Sequence, residues 1–274
     1  MSKGLTPNTI SLFQKLICQF YQEHGRTFPW RITHNPYHIL VSEIMLQQTQ
    51  TERVVEKYER FINSFPDFSF LAQAPLRDIL EVWQGLGYNR RALALKKIAQ
   101  TVITKFHGNL PSSPEVLITL PGIGRASASA ISAFAFNEPV VFIETNIRRV
   151  FIHHFFQNGN SIKDAQILPL VEKTLDTSDP RRWYYALMDY GVMLKKESQN
   201  PNRKSAHYQK QPPFEGSNRQ IRGMILKALT LESWISQREI IRRLRKDPER
   251  VKKNLTQLQK EGFVRKKRSR FTIA

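Results

Sequence analysis

The sequence is poor in several things that would otherwise narrow its class. It has one cysteine, Cys18, in 274 residues. One cysteine allows no intramolecular disulfide, no cysteine-based zinc site and no cysteine-ligated iron–sulfur cluster. Cys18 falls on the apolar face of a helical pattern and reads as a core filler. No apolar run approaches the ~18 residues of a membrane span, and the N-terminus lacks the apolar core of a signal peptide. Strand-like alternation is rare before residue 260, and no internal repeat is evident. Acidic residues are scarce, at 23 Asp and Glu against 42 Lys and Arg. These shortages lead us to expect a soluble cytoplasmic protein (nucleoid-associated if bacterial), a monomer, with no membrane contact, no cofactor and no metal.

The charge imbalance is the first positive signal. The net charge is +19, and a field of that sign favours a polyanion, either nucleic acid or an acidic membrane surface. Nucleic acid is the expectation; a merely basic protein is the plain alternative. Apolar residues make up 41% of the chain, enough for a substantial core.

Helical periodicity dominates the chain. Thr6-Pro7 opens a helix carrying Ile10, Phe13, Ile17 and Phe20, and Gly25 ends it. Phe28-Pro29-Trp30-Arg31 reads as an extended aromatic and basic segment. A helix over 37–48 follows, and Glu43 lies among its apolar positions Ile39, Leu40, Ile44 and Met45. A carboxylate in such company is either paired or functional. Further helices are expected over 54–65, 69–74, 76–82, 92–106, 114–119, 146–156, 163–175 and 182–194. Gly85-Leu86-Gly87-Tyr88 breaks the pattern as a Gly-rich turn.

Leu120-Pro121-Gly122-Ile123-Gly124-Arg125 cannot be ordinary helix, because Pro121 and two glycines stop one helix and turn the chain. A new helical pattern begins at once. Two helices joined this way present amide N–H groups and a helix N-terminus, which suit one phosphate oxygen; the plain reading is a loop between packed helices. One helix later comes Phe142-Ile143-Glu144-Thr145-Asn146. Glu144 reads either as a functional carboxylate or as an acid favoured at a helix start.

Residues 195–217 are polar and rich in proline, and read as a linker or surface loop. Residues 218–274 read as a separate domain. Ser236-Gln237-Arg238-Glu239 has the form of a capping box, and Asp247-Pro248 starts a third helix stopped by Gly262. Two short apolar runs then bracket the basic turn 265–270. Three helices and a basic hairpin describe a winged helix-turn-helix. This stretch holds 17 Lys and Arg against 5 Asp and Glu, so it supplies +12 of the +19. Its third helix would offer Lys252, Lys253, Asn254, Gln257 and Lys260 to a DNA groove, with Lys266 and Lys267 on the wing; a protein-docking domain is the alternative.

Together, Ser42-Glu43-Ile44-Met45-Leu46-Gln47-Gln48-Thr49-Gln50, Gly85-Leu86-Gly87-Tyr88 and the 120–125 hairpin resemble the MutY-type adenine DNA glycosylases. These belong to the helix-hairpin-helix base-excision superfamily. Pro29-Trp30-Arg31, Asn35-Pro36-Tyr37 and Ala186-Leu187-Met188-Asp189-Tyr190-Gly191 fit as well, so the resemblance covers roughly residues 6–194. It implies a mainly α fold in which residues 1–194 form two lobes with the active site between them, and in which the target nucleotide of duplex DNA is flipped out. By resemblance Glu43 protonates the purine, Glu144 stands where the family has an aspartate that stabilises the sugar cation, and Asn146 belongs to the same motif. Trp30, Arg31 and Asp189 would line the base pocket. Gln47, Gln48 and Tyr88 would wedge into the stack, and Gly122, Gly124 and Arg125 would hold the backbone.

The sequence departs from that family in four places. Glu144 replaces the aspartate. The cluster cysteines are missing, with Leu194 near the place of the first. The winged-helix candidate stands where the family has a domain that senses 8-oxoguanine. Asn89 follows Tyr88 where a second aromatic is common. Bifunctional relatives carry a lysine just after the hairpin; here Ala126 and Ser127 follow Arg125, so a glycosylase without lyase activity is expected. Its substrate would be duplex DNA with a mismatch or lesion, with adenine opposite guanine or 8-oxoguanine first. Thymine, uracil or another base opposite guanine is the second expectation, and a non-catalytic DNA-binding protein the third.

Overall fold

The computed structural model describes residues 5–197 and 199–274; the first four residues of the expected 1–194 domain and Ser198 of the polar stretch lie outside these. In chain order the helices are α1 (Pro7–His24), α2 (Pro29–Ile32), α3 (Pro36–Leu46), α4 (Thr51–Ser64), α5 (Phe68–Gln73), α6 (Leu76–Val82), α7 (Arg90–Phe106), α8 (Pro114–Leu117), α9 (Arg125–Phe136), α10 (Thr145–Phe155), α11 (Asp164–Thr174) and α12 (Pro180–Glu197). A 3-10 turn, Pro201–Lys204, follows. Then come α13 (Asn218–Leu231), β1 (Ile235–Ser236), α14 (Gln237–Leu244), α15 (Pro248–Lys260), β2 (Val264–Lys267) and β3 (Arg270–Ile273).

Local chemistry sets many of these boundaries. The side chains of Thr6, Asp67, Ser217, Ser236 and Asp247 each accept an amide hydrogen from the first turn of the helix they precede. Ser236 makes only half of a capping box, because the Glu239 carboxylate is taken by Arg242 and Arg243. Two sequence expectations are corrected. Phe28–Arg31 is not extended, since α2 starts at Pro29; the proline ring presets a helical φ and its missing N–H is not needed in a first turn. The stretch 195–217 is not uniform coil. Helix α12 continues to Glu197, and Ile162 donates to Lys204 O while Ala206 donates to Ile162 O, both at 2.9 Å. These anchors are backbone groups, so side-chain composition conceals them.

The chain forms two compact units. The first comprises residues 1–40, 112–119 and 123–210. Its core gathers Phe13, Ile17, Phe134, Ile147, Phe151, Trp183, Tyr184 and Leu187. The Phe134 and Tyr185 rings stack at 4.5 Å, and Phe13 meets Phe151 edge-on at 5.5 Å. Burial of each such side chain contributes ~1.5–3 kcal/mol before conformational entropy is counted.

The second unit comprises 41–111, 120–122 and 211–274. Helices α4–α7 bury Phe61, Trp83, Leu95 and Ile98. Three helices, α13–α15, and an antiparallel sheet of order β1-β3-β2 complete it, in a register that sets Ile235 opposite Phe271 and Val264 opposite Ile273. These C-terminal elements are bonded to the helices of the same unit. Arg77 donates to Thr230 O and Ser233 Oγ, and Gln84 donates to Thr230 Oγ1. Arg90 of α7 and Arg222 of α13 share the carboxylate of Glu261, which they hold far down, at about 2, against the effect of burial.

Candidate active site

The first unit presents a carboxylate at a helix start. Glu144 is the N-cap of α10. Its Oε1 accepts from Asn146 N at 2.6 Å and from Ile147 N at 2.9 Å, and Oε2 accepts from Asn146 Nδ2 at 3.3 Å. A shorter aspartate caps the same way; the longer glutamate bends back onto its own helix. Burial pushes the Glu144 carboxyl above the ordinary glutamate range, and the amides of Ile147 and Asn146 and the guanidiniums of Arg149 and Arg148 only partly oppose it. The side chain is therefore both a cap and a perturbed acid.

A second layer holds this carboxylate. Buried Arg149 donates through Nη1 to Asn146 Oδ1 at 2.7 Å and to Gly191 O at 2.6 Å, and through Nε to Asn200 Oδ1 at 3.1 Å. Asn202 donates to Thr145 O at 2.8 Å. Gly191 of α12 lies so close to α10 that a Cβ there would sit 2.5 Å from Asn146 O. The sequence singled out Asn146 but not Arg149, Asn200 or Asn202. Arg149 has a signal in hindsight, as a basic residue on the apolar stripe of α10; Asn200 and Asn202 lie in polar sequence and had none.

Asp189 and Arg31, expected in a base pocket, are bound to each other. The Asp189 carboxylate accepts five hydrogen bonds from Arg26 and Arg31, between 2.6 and 2.9 Å. Burial works against its ionisation, yet the Arg31 and Arg26 guanidiniums hold it below the ordinary aspartate range. Arg31 also lies 4.4 Å over the Tyr185 ring. Trp30 is buried and stacked on Phe28 at 5.0 Å.

Glu43 belongs to the second unit. It is partly exposed on α3, between buried Ser42 and Ile44. The helix ends just beyond it, and Arg91 takes the exposed carbonyls: Arg91 donates to the oxygens of Ile44, Met45, Gln47, Leu86 and Gly87 and to Thr49 Oγ1, at 2.6–3.1 Å. One guanidinium thus caps α3 and ties the Gln47-Gln48 turn to the Gly85–Tyr88 turn. Burial draws its pKa down to about 10. Gln48 and Tyr88 both have positive φ, 55° and 46°, uncommon for side-chain-bearing residues. Gln47 Nε2 reaches Gly122 O at 3.3 Å. Gly122 itself has φ +80°, and a Cβ there would meet Ala94 Cβ at 2.9 Å, so both its conformation and its packing favour glycine.

The 120–124 turn joins α8 to α9. Gly124 starts α9 with no side-chain cap, and Arg125 is exposed in the first turn. On α15, Lys253 is exposed, Lys252 pairs with Glu249 at 2.6 Å, and Asn254 points inward, donating to Asn218 and Arg250 O. Asn254 is therefore not a free groove-facing residue: its short amide reaches α13 instead. Lys266 lies 5.7 Å over the Phe271 ring, and Lys267 is exposed.

A helix pair joined by a Gly-rich turn, with a capped carboxylate beginning the next helix, defines a helix-hairpin-helix framework. Residues 41–173 match the HhH-GPD superfamily of base excision DNA repair proteins. The adenine DNA glycosylase of Buchnera aphidicola subsp. Baizongia pistaciae is 39% identical over 191 residues, 68% of this chain and 54% of that protein. That of Mycobacterium tuberculosis is 42% identical over 133 residues, 48% of this chain and 43% of that protein. The structure of a thermostable thymine-DNA glycosylase superposes with a TM-score of 0.65 at 27% identity, covering 73% of this chain and 94% of that one. Residues 41–173 thus carry an HhH-GPD base-excision domain, and the chain is similar to the MutY-type adenine DNA glycosylases. It spans about half the length of the curated relatives it matches.

The residues here do not fit a cysteine-ligated cluster. Leu194 is buried, the turn after α12 is closed by hydrogen bonds, and Cys18 sits on α1. Among the described residues there is no group of three or more metal-ligating side chains and no helix long and apolar enough to cross a membrane.

Proposed function

We propose that this protein is a DNA glycosylase acting on duplex DNA, with adenine opposite guanine or 8-oxoguanine as its target. The observation that carries this is the Glu144 carboxylate, held by two amides and by Asn146 and sitting in surroundings that perturb it. Perturbed carboxylates fixed by a second layer of bonds mark sites of chemistry. Glu43 is the proton donor. Protonating the purine lets the base leave with the glycosidic electron pair, the ionised Glu144 offsets the charge left on the sugar, and water completes the hydrolysis. The product is an abasic site.

Ala126 and Ser127 offer no amine after the hairpin, so the strand is left intact. The three helices with the sheet β1-β3-β2 form a winged helix whose basic wing grips the phosphate backbone. The likeness to a thymine-DNA glycosylase supports one second reading, thymine or uracil opposite guanine.

Duplexes bearing each mismatch, incubated with the protein and treated with alkali, test these readings. Cleavage at adenine is expected, with Glu43→Gln and Glu144→Gln each abolishing it. Cleavage only at thymine or uracil selects the second reading, and full activity in both variants refutes the assignment of roles. Nicking without alkali would show a lyase.

A further inference from the structure

The chain has four tryptophans. Trp30, Trp83 and Trp183 are buried, at 3% exposure or less, whereas Trp234 is 37% exposed. It lies in the loop between α13 and β1, at φ +59°. Glycine or asparagine holds a left-handed turn at less cost than a bulky ring, so the turn does not explain a tryptophan. Strained residues of this kind gather where a protein binds. The loop is also fixed. Arg77 donates to Thr230 O at 2.5 Å and to Ser233 Oγ at 2.6 Å, and Arg270 donates to Trp234 O at 3.1 Å. Leu231, where the loop starts, is 78% exposed.

The surroundings are cationic. The register places Arg265, Lys267 and Arg270 on one face of the sheet, opposite the face that buries Ile235, Val264 and Phe271. Among the described residues none of these three cations meets a carboxylate, and the loop's own acid, Glu232, is taken by Arg243 at 2.6 Å. Cations beside a fixed aromatic ring are the means by which proteins hold single-stranded nucleic acid: the charges follow the backbone and the ring stacks on a base. In a duplex each internal base is covered by its neighbours, and Trp234 is too sunken and too firmly held to part them as a wedge. We propose that Trp234 is a stacking site for an unpaired base, and that Arg265, Lys267 and Arg270 hold the phosphates of that strand. The site lies beyond the excision reaction and does not rest on it; it keeps the chain at gaps, tails and displaced strands.

The intrinsic tryptophan fluorescence of the full chain tests this, because Trp234 alone of the four is open to a quencher. Oligothymidylate of about twelve nucleotides should quench it saturably, and a blunt duplex of the same length should not. By anisotropy, Trp234→Leu should bind the labelled single strand about tenfold or more weakly, and Trp234→Phe should keep most of the affinity. Both should bind the duplex as the natural chain does. A strand of tetrahydrofuran abasic units keeps the phosphates and lacks the bases; it should bind the natural chain and Trp234→Leu equally and leave the fluorescence unchanged. Quenching needs no variant, so the proposal stays testable should Trp234→Leu fail to fold. Three results overturn it: equal quenching by the duplex, an equal loss on single strand and duplex, or quenching by polyglutamate or phosphatidylglycerol vesicles in place of oligothymidylate. The ring would then face paired DNA, an acidic peptide or a membrane. Absence of excision at every mismatch would strike the glycosylase reading and leave this site standing.

Discussion

A Cβ added to Gly191 would lie 2.5 Å from the carbonyl oxygen of Asn146. That approach sets α12 against the first turn of α10 and leaves the Gly191 carbonyl within 2.6 Å of Arg149 Nη1. Gly191→Ala must therefore push apart two backbones. Overpacking of this kind costs ~1–3 kcal/mol, and the displaced turn carries Glu144. We expect a Tm lower by about 2–4 °C for each kcal/mol lost and an excision rate down by about a hundredfold, the scale of a 1 Å misplacement. Thermal melts and single-turnover excision on one preparation measure both; an unchanged rate at full stability would show that the close approach of the two helices does not set the carboxylate.

Glu144→Gln should separate stability from activity. The native carboxyl titrates above its unfolded value because burial disfavours the charge. The folded state then binds more protons than the unfolded state between those two values, so its stability is greatest below the unfolded pKa and falls as pH rises through the folded one. Glutamine keeps the capping oxygen and removes the charge. The variant should melt higher than the natural protein at pH 8, the gap should close near pH 4, and excision should be lost. A lower Tm at pH 8 would mean that the amide and guanidinium partners outweigh burial.

Much of this was legible in the sequence, and what was not has a common cause. The 120–125 turn was readable because Pro121, Gly122 and Gly124 allow few conformations, and the start of α15 because Asp247-Pro248 is a strong helix opening. Glu144 was visible as an acid at a helix start, while its double amide bond and its burial were not. Asp189 was visible as part of a motif, yet nothing local marks Arg26, 163 positions away in the chain, as its partner. Arg91 and Asn202 work mainly through backbone carbonyls, which every residue has, so no pattern of side chains announces them; Arg149, a basic residue on the apolar stripe of α10, is the exception. The turn after α12 is likewise closed by backbone groups.

Asp189→Asn should destabilise the first unit, because it leaves the nearly buried Arg31 without its counter-charge. Removal of one partner from a buried pair costs ~3–5 kcal/mol. The carboxyl titrates below its unfolded value in the native state. Its contribution is therefore complete above the unfolded pKa of ~3.9 and is lost as pH falls through the lower folded value. Urea melts at pH 7 and pH 3 should show a deficit in the variant that narrows at the acid end. Equal deficits at both would assign the loss to packing.

Arg91→Lys tests a positioning role in the second unit. An ammonium has three donors on one nitrogen and cannot span the carbonyls of Ile44, Met45, Gln47, Leu86 and Gly87 together. At least one buried carbonyl loses its partner, at ~1–3 kcal/mol. Hydrogen exchange should quicken in residues 46–49 and 85–88 ahead of the rest of the unit, and excision should slow while α13–α15 keep their protection. Uniform loosening of the whole unit would make Arg91 a general core residue instead.

The wing should act through charge alone. Residues 265–267 of β2 are exposed and only Val264 is buried, so Lys266→Gln/Lys267→Gln should leave the Tm within about 1 °C, as surface changes do. Each phosphate that loses its lysine should flatten the dependence of log affinity on log salt by about 0.9. Lys253→Gln should flatten it too, whereas Lys252→Gln should do less, because Lys252 already shares its charge with Glu249. Fluorescence anisotropy on one matched duplex across 50–300 mM salt gives the slopes. Parallel lines for the wing variant and the natural chain would remove the wing from the DNA interface and leave α15 as the candidate groove helix.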